Sequence, residues 1–328
     1  MPDSARAEIV ASPVFGRHLT DHMASATWTV RKGWRDRKVG PLEPFTLHPG
    51  TAVLHYGQEI FEGLKAYRHA DGGVFLFRPE VNARRFAHSA RRMALPPLPE
   101  EDFLASIEAL VRADEQWVPL RRRRRQEPLL TPFMFAADEF TALRVPERAV
   151  YSVIAWPAGP LFPSGHNGVT LWISSRYTRS APGGTGDAKC GGNYAASMAA
   201  QIEATEHGCD QVLYLDRTGG EGNLEEAGTM NVFLVTGDGL LVTPALGAIL
   251  DGVTRDAVLS LAAEFGLTRS VGASRQADDG AARAPSKHPV RSGGGPLRLD
   301  AAGGVSARRF SSESKRRGRS NSTTVPQP

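Results

Sequence analysis

Residues 186–197 read GDAKCGGNYAAS, and this stretch decides how the rest of the chain is interpreted. Lys189 stands just before two glycines, Gly191 and Gly192, and a helical pattern follows them. The chain has six lysines, and no other lies between residues 65 and 287. A lysine is usually a solvated surface charge, but the glycines let the backbone bend tightly or be approached closely. Apolar segments on both sides further predict that Lys189 lies near the core.

A lysine near the core has a particular chemistry. Once desolvated it loses its proton more readily, which makes it a nucleophile toward aldehydes. The commonest use of such a lysine is a Schiff base with pyridoxal phosphate (PLP). That cofactor needs a carboxylate at its pyridine nitrogen, and its phosphate needs a helix N-terminus and a cation.

Two segments offer such partner groups. LEEAGTMN at 224–231 carries Glu225 and Glu226 in a predicted polar turn between apolar strands, and DGVTRDAV at 251–258 opens a predicted helix with Gly252. Each is weak evidence alone, because the glutamates could be ordinary turn residues and Thr254 an ordinary helix cap. From the residues alone, both interpretations stay open.

The first 270 residues alternate between strand and helix patterns. Apolar runs predict strands at 74–77, 169–175, 211–216 and 230–235, and a strand running into a loop over 150–160. Helical spacing predicts helices over 78–95, 101–117, 194–208 and 254–266. Strands mixed with helices, without a repeating βα unit, predict an α/β (α+β) fold with two domains. The Pro- and Gly-rich segment 156–168 is the candidate linker, so we predict a small N-terminal α/β domain at 1–156 and a larger PLP-binding domain at 157–270.

The composition changes after about residue 271. Residues 271–328 hold seven large apolar residues, too few to offset the entropy of ordering the segment. They carry 11 basic and 4 acidic side chains, a charge of +7, whereas the rest of the chain carries −3. We therefore predict a disordered basic tail. A nucleic-acid-binding arm would interleave aromatic and basic residues, and the tail has one aromatic residue, Phe310, so no nucleic-acid partner is expected.

Membrane and export signals are missing from the sequence. No apolar run approaches the roughly 18–20 residues that a membrane span needs, and the N-terminal MPDSARAEIVASPVFG lacks the blocks of a signal peptide. The two cysteines, Cys190 and Cys209, cannot form a disulfide framework, and no C-x-x-C motif occurs. We expect a reduced, cytoplasmic protein with no membrane partner and no metal.

Several motifs occur together in one order. KCGGNYA (189–195), EEAGTMN (225–231) and ILDGVTRDAV (249–258) resemble, in order and spacing, the branched-chain amino-acid aminotransferases, which are PLP enzymes of fold type IV. Four further segments resemble the same family: FGRHLTDHM (15–23), LHYGQEIFEGLKAYR (54–68), FRPEVNARRF (77–86) and GCDQVLYLD (208–216). Independent motifs in register make the resemblance specific. It implies two domains with the active site between them.

The resemblance implies that six positions bind the cofactor: Arg85, Lys189, Tyr194, Glu226, Val253 and Thr254. Lys189 matches the lysine that binds PLP covalently and later moves a proton. Glu226 matches the carboxylate at the pyridine nitrogen, and Tyr194 matches the tyrosine at the phenolic oxygen. Arg85 and the first two amides of the helix after Gly252 match the phosphate-binding groups.

The resemblance also implies a substrate pocket and a reaction. Phe15, Tyr56 and Phe61 match residues that line the pocket for branched side chains. Without the resemblance, we would prefer ordinary core packing as the explanation for these three aromatics. The implied reaction passes the amino group of leucine, isoleucine or valine to PLP and then to 2-oxoglutarate, which gives glutamate. Family members are dimers, so a homodimer is implied.

Two alternatives accompany this interpretation. The first is a D-amino-acid aminotransferase or an aminodeoxychorismate lyase of the same fold type, although KCGGNYA with HYGQEIFEG argues against both. The second is an inactive PLP-fold protein that acts through its basic tail.

The chain departs from the family pattern at two places. The family has a Gly-Thr-Ala segment near its C-terminus that binds the substrate carboxylate and the cofactor phosphate, and nothing after Val271 resembles it. The family's Tyr-Leu-Arg-Pro, whose Tyr and Arg face the substrate, is replaced by Leu129-Leu130-Thr131-Pro132. The resemblance therefore implies an incomplete C-terminal domain and an impaired enzyme.

Both departures fit a damaged reading frame. Codons that can encode residues 127–132 give Ser-Leu-Tyr-Leu-Arg when one nucleotide is dropped, and the five arginines at 121–125 fit GC-rich DNA read out of frame. We hypothesise a frame excursion near 120–131 and a frameshift near 269–272. The alternatives are a solvated or anion-binding loop at 121–125 and a native basic tail.

Overall fold

The computed structural model describes residues 1–118, 127–159, 161–162, 168–216, 223–236 and 239–272, together with two short strands at 296–299 and 305–306. Its α-helices are α1 (Asp3–Ala11), α2 (Ala52–Tyr56), α3 (Pro79–Arg92), α4 (Glu100–Ala113), α5 (Gly191–Glu206) and α6 (Val253–Leu261). Short 3₁₀ turns follow α4 at Glu115–Trp117 and α6 at Ala262–Phe265. Within these ranges, none of the helices has the length and apolar character needed to cross a membrane.

The strands between residues 22 and 158 form a seven-stranded sheet. Its strands are β1 (His22–Thr29), β2 (Gly33–Pro41), β3 (Glu59–Phe61), β4 (Leu64–Arg68), β5 (Val74–Leu76), β6 (Glu127–Ala136) and β7 (Arg148–Ala158). They run in the order β2-β1-β7-β6-β4-β5, with β3 also paired to β6, and every pair is antiparallel. The mixed α/β fold predicted from the sequence is confirmed.

Helices α3 and α4 pack against this sheet. In α4, Phe103, Ile107 and Leu110 recur at helical spacing and are buried, as the sequence predicts. Helix α3 has Pro79 in its first turn, where the missing N–H costs nothing. The ring of Phe86 in α3 meets Tyr151 of β7 with 5.6 Å between centroids. This packing fixes α3, which carries one of the candidate site residues.

The second sheet contains β8 (Val169–Ile173), β9 (Gln211–Asp216) and β10 (Asn223–Ala227). β8 and β9 are parallel and are joined through α5, whereas β10 pairs antiparallel with β9. Ala200 and Ala204 of α5 are buried against Trp172 and Tyr214. Because Lys189 is separated from α5 by Cys190 alone, this packing also positions the lysine.

The third sheet contains β11 (Leu234–Val235), β12 (Leu240–Thr243) and β13 (Thr268–Val271). β12 pairs antiparallel with β11 and parallel with β13, and α6 connects β12 to β13. The strand predicted at 230–235 is shorter in the structure, where only Leu234 and Val235 form a strand. Gly266 has φ +71°, so it ends the helical segment in the left-handed region, as predicted.

The predicted polar turn at 224–231 is corrected by the structure. Glu225 and Glu226 lie in strand β10, and both are buried. The pairing register shifts between Leu224 and Ala227, so β10 bulges at the two glutamates. Pairing with β9 therefore outweighs the low strand preference of glutamate, and the bulge directs their side chains.

The predicted domain boundary at residue 156 and the predicted start of the tail near residue 271 both lie close to residues that the structure does not describe. β7 continues to Ala158, past the predicted domain boundary at 156. Strand β14 (Pro296–Leu299) pairs antiparallel with β8, and β15 (Val305–Ser306) pairs with β14. At these six residues the structure differs from the expectation of a wholly disordered tail, because pairing beside β8 orders the backbone. The rest of the chain from residue 273 and the arginines at 121–125 lie outside the described residues, so the tail and the domain boundaries stay predictions.

Candidate active site

The backbone of the segment that carries Lys189 is hydrogen-bonded to helix α3 and strand β3. The N–H of Lys189 donates to the Ser89 hydroxyl of α3 at 2.9 Å, and its carbonyl accepts from the N–H of Phe61 at 2.9 Å. The N–H of Gly191 donates to the carboxylate of Glu59, and a Cβ at Gly191 would overlap that carboxylate. The close approach predicted for the glycine pair is therefore confirmed at Gly191, whereas Gly192 faces open space.

The side chain of Lys189 lies beside two aromatic rings that pack against each other. Its Nζ is 2.9 Å from the hydroxyl of Tyr194 and 4.4 Å from the ring centroid of Phe61. The two rings meet edge-on with 4.8 Å between centroids. Tyr194 is in the first turn of α5, so a short local path links the lysine to its hydroxyl partner. The structure therefore brings together Lys189, Tyr194 and Phe61, which the sequence analysis selects separately.

Glu226 is a buried carboxylate with three partners. Its Oε2 lies 2.9 Å from Nε of Arg179 and accepts from the N–H of Leu250 at 3.3 Å. Its Oε1 accepts from the amide of Asn231 at 2.9 Å. Burial raises the pKa of Glu226, and the positive charge of Arg179 is the largest effect that opposes it.

The charges of the candidate site act on one another. The positive charges of Lys189 and Arg85 both act to lower the pKa of Glu226. Arg85 in turn interacts electrostatically with Tyr194 and Asp251. Because such effects fall off with distance, these side chains share one neighbourhood, where α3 meets the lysine loop and the start of α6.

Arg85 is fixed by a buried carboxylate. Its Nε and Nη2 donate to the two oxygens of Glu62 at 2.5 and 2.9 Å, and its Nη1 donates to the carbonyl of Asp251 at 2.9 Å. Glu62 also accepts from Asn82 at 2.9 Å and from the N–H of Gly63 at 2.9 Å. Burial alone would lower the pKa of Arg85, but Glu62 outweighs it and holds that pKa above its ordinary value. The described contacts use three of the five guanidinium N–H groups, which leaves two for a ligand.

The N-terminus of α6 lies beside Arg85. The helix begins at Val253, and the first bond to its entry residue runs from the N–H of Asp256 to the carbonyl of Gly252. The amides of Val253 and Thr254 therefore have no partner within the helix. A Cβ at Gly252 would overlap the side-chain oxygen of Asn231, so only glycine fits there. Free amides, the helix dipole and the nearby arginine together form a suitable anion site.

Tyr56 and Phe15, the other two predicted substrate residues, make their described contacts with residues other than Lys189. The hydroxyl of Tyr56 donates to the carbonyl of Thr141 at 2.6 Å, and Phe15 packs edge-on against Trp156 with 6.3 Å between centroids. The two side chains are 40% and 43% exposed. Of the three predicted aromatics, the contacts of the described residues bring Phe61 to Lys189. A role for Phe15 and Tyr56 in the substrate pocket stays a prediction.

Known proteins with similar sequences identify the family. A family profile described as "Amino-transferase class IV" matches residues 59–278. A Streptomyces coelicolor protein named "Probable branched-chain-amino-acid aminotransferase" is 50% identical over 268 residues, which is 81% of this chain and 73% of that protein. The chain belongs to the class IV aminotransferase family.

Two further comparisons agree with this family. A branched-chain-amino-acid aminotransferase of Mycolicibacterium smegmatis is 50% identical over 269 residues, 80% of this chain and 72% of that protein. A solved T.th. branched-chain amino acid aminotransferase, complexed with N-(5'-phosphopyridoxyl)-L-glutamate, is 27% identical with a TM-score of 0.60. The likeness covers 86% of this chain and 84% of that one. The family resemblance drawn from the motifs is therefore confirmed.

Two charged residues of the site, Arg179 and Glu62, are not predicted from the sequence. Arg179 lies in a polar segment without a motif of its own, so nothing local predicts its contact with Glu226. Glu62 does give a signal, because it is a single acid in the otherwise apolar run IFEGL at 60–64. A lone charge in an apolar run requires a partner once it is buried, and here the partner is Arg85.

Glu225 differs from its neighbour Glu226 in having no counter-charge in contact among the described residues. Its side chain is 4% exposed, and its Oε2 has no hydrogen-bond partner in that part of the chain. With Asp216 it lines a separate cavity of about 440 Å³. Burial raises the pKa of Glu225 to about 7, Arg179 partly opposes this, and Asp216 and Glu226 add to it.

Replacing Glu225 with glutamine is expected to stabilise the protein at pH 8.5 but not at pH 5. The raised pKa means that the folded state favours the protonated acid, so its stabilising contribution is complete below about pH 4.5 and lost as the pH rises through about 7. At about 1.4 kcal/mol per pKa unit, the neutral amide should gain about 3 kcal/mol in the free energy of unfolding at the higher pH. Urea unfolding at the two pH values measures this gain. The matched control is Glu264→Gln on the exposed 3₁₀ turn, and an equal effect of Glu225→Gln at both pH values would contradict the assignment.

Proposed function

We propose that this chain is a PLP-dependent branched-chain amino-acid aminotransferase that moves the amino group of leucine, isoleucine or valine to 2-oxoglutarate. The observation that carries the proposal is the hydrogen bond between Lys189 Nζ and the Tyr194 hydroxyl, in the same neighbourhood as a buried carboxylate and an anion site. The names of the relatives at 50% identity support the substrate class. The proposed partners are small-molecule substrates. The proposal includes no nucleic-acid partner and no membrane partner.

The donor set of the site fits PLP. An aldehyde would meet the amine of Lys189, and a pyridine nitrogen would need the carboxylate of Glu226. A phosphate would need the two unused N–H groups of Arg85 and the free amides of Val253 and Thr254. The bound cofactor supplies an electron sink for the bond-breaking at the amino-acid Cα.

The residues of the chain have distinct tasks in this proposal. Lys189 Nζ would take the proton from the amino-acid Cα and return it, as a general base and acid. The Tyr194 hydroxyl orients Nζ by the hydrogen bond between them. Glu226 provides a fixed negative charge against a protonated ring nitrogen, which is most useful while charge develops in the reaction. The ring of Phe61 packs beside Nζ of Lys189 and would shield that side of the amine from water.

The experiment is an assay of glutamate formation from leucine and 2-oxoglutarate with added PLP. We expect a rate that depends on Lys189, together with release of the 2-oxo acid of leucine. Replacing leucine with D-alanine tests the D-amino-acid aminotransferase alternative, and pyruvate release from aminodeoxychorismate tests the lyase. A rate with either of these substrates that exceeds the rate with leucine would overturn the proposal.

Replacing Glu226 with glutamine should reduce catalysis far more than PLP binding. The neutral amide keeps the shape of the side chain but cannot hold a proton on the pyridine nitrogen. We expect single-turnover release of the 2-oxo acid from leucine to slow by about 100- to 1,000-fold, while the Kd for PLP changes much less. Glu225→Gln is the matched control at the adjacent buried position. If binding and turnover fell equally in Glu226→Gln, the electron-sink role would be wrong.

We also propose a homodimer in the cytoplasm. The dimer is supported by the family resemblance. A reducing compartment is supported by Cys190 and Cys209, which are buried and free. Light scattering of the purified chain measures the dimer directly.

A further inference from the structure

Arg179 connects three separate segments of the candidate site. Its Nε contacts the carboxylate of Glu226 at 2.9 Å. Its Nη1 donates to the carbonyl of Gly186 at 3.2 Å and to that of Ala248 at 3.1 Å. Gly186 belongs to the loop that leads to Lys189, and Ala248 belongs to the segment that leads to α6. The side chain of Arg179 is 5% exposed, so these contacts are shielded from water.

We propose that Arg179 is a positioning residue for the aminotransferase reaction: it keeps Glu226 ionised and in place, and it holds the lysine loop and the α6 segment against it. This inference rests on the proposed function. It adds a residue that the motifs do not contain, and it assigns Arg179 no contact with substrate.

The electrostatic part of the argument starts from the burial of Glu226. A carboxylate that is 2% exposed becomes neutral unless a positive charge compensates it. Asn231 and the N–H of Leu250 orient the carboxylate but carry no charge. Lys189 and Arg85 act on it without a direct contact, and the adjacent Glu225 interacts with it as a like charge. Within the described part of the chain, Arg179 is therefore the counter-ion in contact with Glu226.

The geometric part of the argument concerns the two carbonyls. A Cβ at Gly186 would overlap the carbonyl of Ala248, so these two segments touch each other. Nη1 of Arg179 bridges their two carbonyls while Nε remains on Glu226. A planar guanidinium can make these contacts at once, whereas the ammonium of a lysine is a compact point charge. Charge and bridging can therefore be separated by substitution.

The experiment uses Arg179→Gln, which removes the positive charge, and Arg179→Lys, which keeps the charge but loses the planar guanidinium that bridges the two carbonyls. The matched control is Arg68→Gln, because Arg68 also binds carbonyls and one glutamate but lies in the first sheet. The chain is labelled with ¹³C at the glutamate side-chain carboxyl, and the resonance that disappears in Glu226→Gln is followed in a pH titration without PLP.

We expect the proton affinity of Glu226 to rise by about 10- to 1,000-fold in Arg179→Gln, to rise much less in Arg179→Lys, and to stay unchanged in Arg68→Gln. With PLP bound, turnover of leucine should fall by about 100-fold in Arg179→Gln, whereas KM should change less. If Arg179→Gln does not fold, the double variant Arg179→Gln/Glu226→Gln should recover folding, because it removes both members of the buried pair.

Two results would overturn the inference. One is an unchanged titration of Glu226 in folded Arg179→Gln, with a loss of thermal stability like that of Arg68→Gln. The other is a double variant that unfolds as readily as Arg179→Gln. Failure of the proposed function gives a different result: the unsubstituted chain turns over no leucine, while the ¹³C titration still responds to Arg179.

Discussion

Borohydride reduction of the protein after incubation with PLP is expected to attach the pyridoxyl group to Lys189 and to no other lysine. Lys189 is half-buried, and its Nζ lies beside the Tyr194 hydroxyl and over the ring of Phe61. Peptide mapping by mass spectrometry measures the position of the label. A label on any other lysine would contradict the assignment.

The matching kinetic experiment replaces Lys189 with alanine. General acid–base groups contribute about 10²–10⁴-fold to a rate, and Lys189 is proposed to bind the cofactor as well. We therefore expect glutamate formation to fall by at least about 1,000-fold. Lys32→Ala, at the exposed turn between β1 and β2, is the control and should retain the rate. An equal loss in both variants would indicate damage to the fold instead of loss of a catalytic group.

The sequence predicts those parts of the site that depend on nearby residues. Lys189, Gly191 and Tyr194 fall within one short motif, and the helix that follows fixes their relative positions. Pro79 and the left-handed Gly266 mark helix ends through their own backbone preferences. Such local rules need no knowledge of the tertiary fold.

The ion pairs of the site depend on contacts that are distant in the chain. Arg179 reaches Glu226 in another element, and Arg85 on α3 reaches Glu62 just after β3. No spacing rule predicts such a pair, because the fold alone brings the elements together. The bulge in β10 is a similar case, since pairing with β9 buries two glutamates that local preference assigns to a turn.

Residues 129–132, where the chain departs from the family pattern, lie in strand β6. Leu129 and Thr131 are separated by one residue, so their side chains lie on the same face of the strand. Leu129 would be 3.9 Å from a Cβ at Gly63, which directly follows Phe61 and Glu62. Both residues are half-buried. This face of β6 therefore borders the segment that contacts Lys189, which is a suitable place for the Tyr and Arg that the family resemblance implies.

Restoring those two residues is expected to increase the rate with leucine. In the variant Leu129→Tyr/Thr131→Arg, the arginine can donate to the substrate carboxylate, and such a charge-assisted bond is worth about 1.5–3 kcal/mol. At roughly 1.4 kcal/mol per factor of ten, glutamate formation should rise by about 10- to 100-fold. The control is Leu129→Tyr/Thr131→Gln, which adds similar bulk without the charge. A rise in the control as large as that in the arginine variant would exclude a carboxylate-binding role for residue 131.

Restoring both hypothesised reading frames is expected to have a still larger effect. A Gly-Thr-Ala segment would add donors to the substrate carboxylate and to the phosphate, and two or three such bonds at about 1.5–3 kcal/mol each correspond to several orders of magnitude in rate. The measurement compares glutamate formation from leucine by this chain and by the frame-restored chain at equal PLP saturation. The Lys189→Ala variant of each chain gives the background rate to be subtracted. Comparable rates from the two chains would mean that the tail is native and that the frameshift hypothesis is wrong, because the donors needed at the substrate carboxylate would then already be present in the chain as it stands.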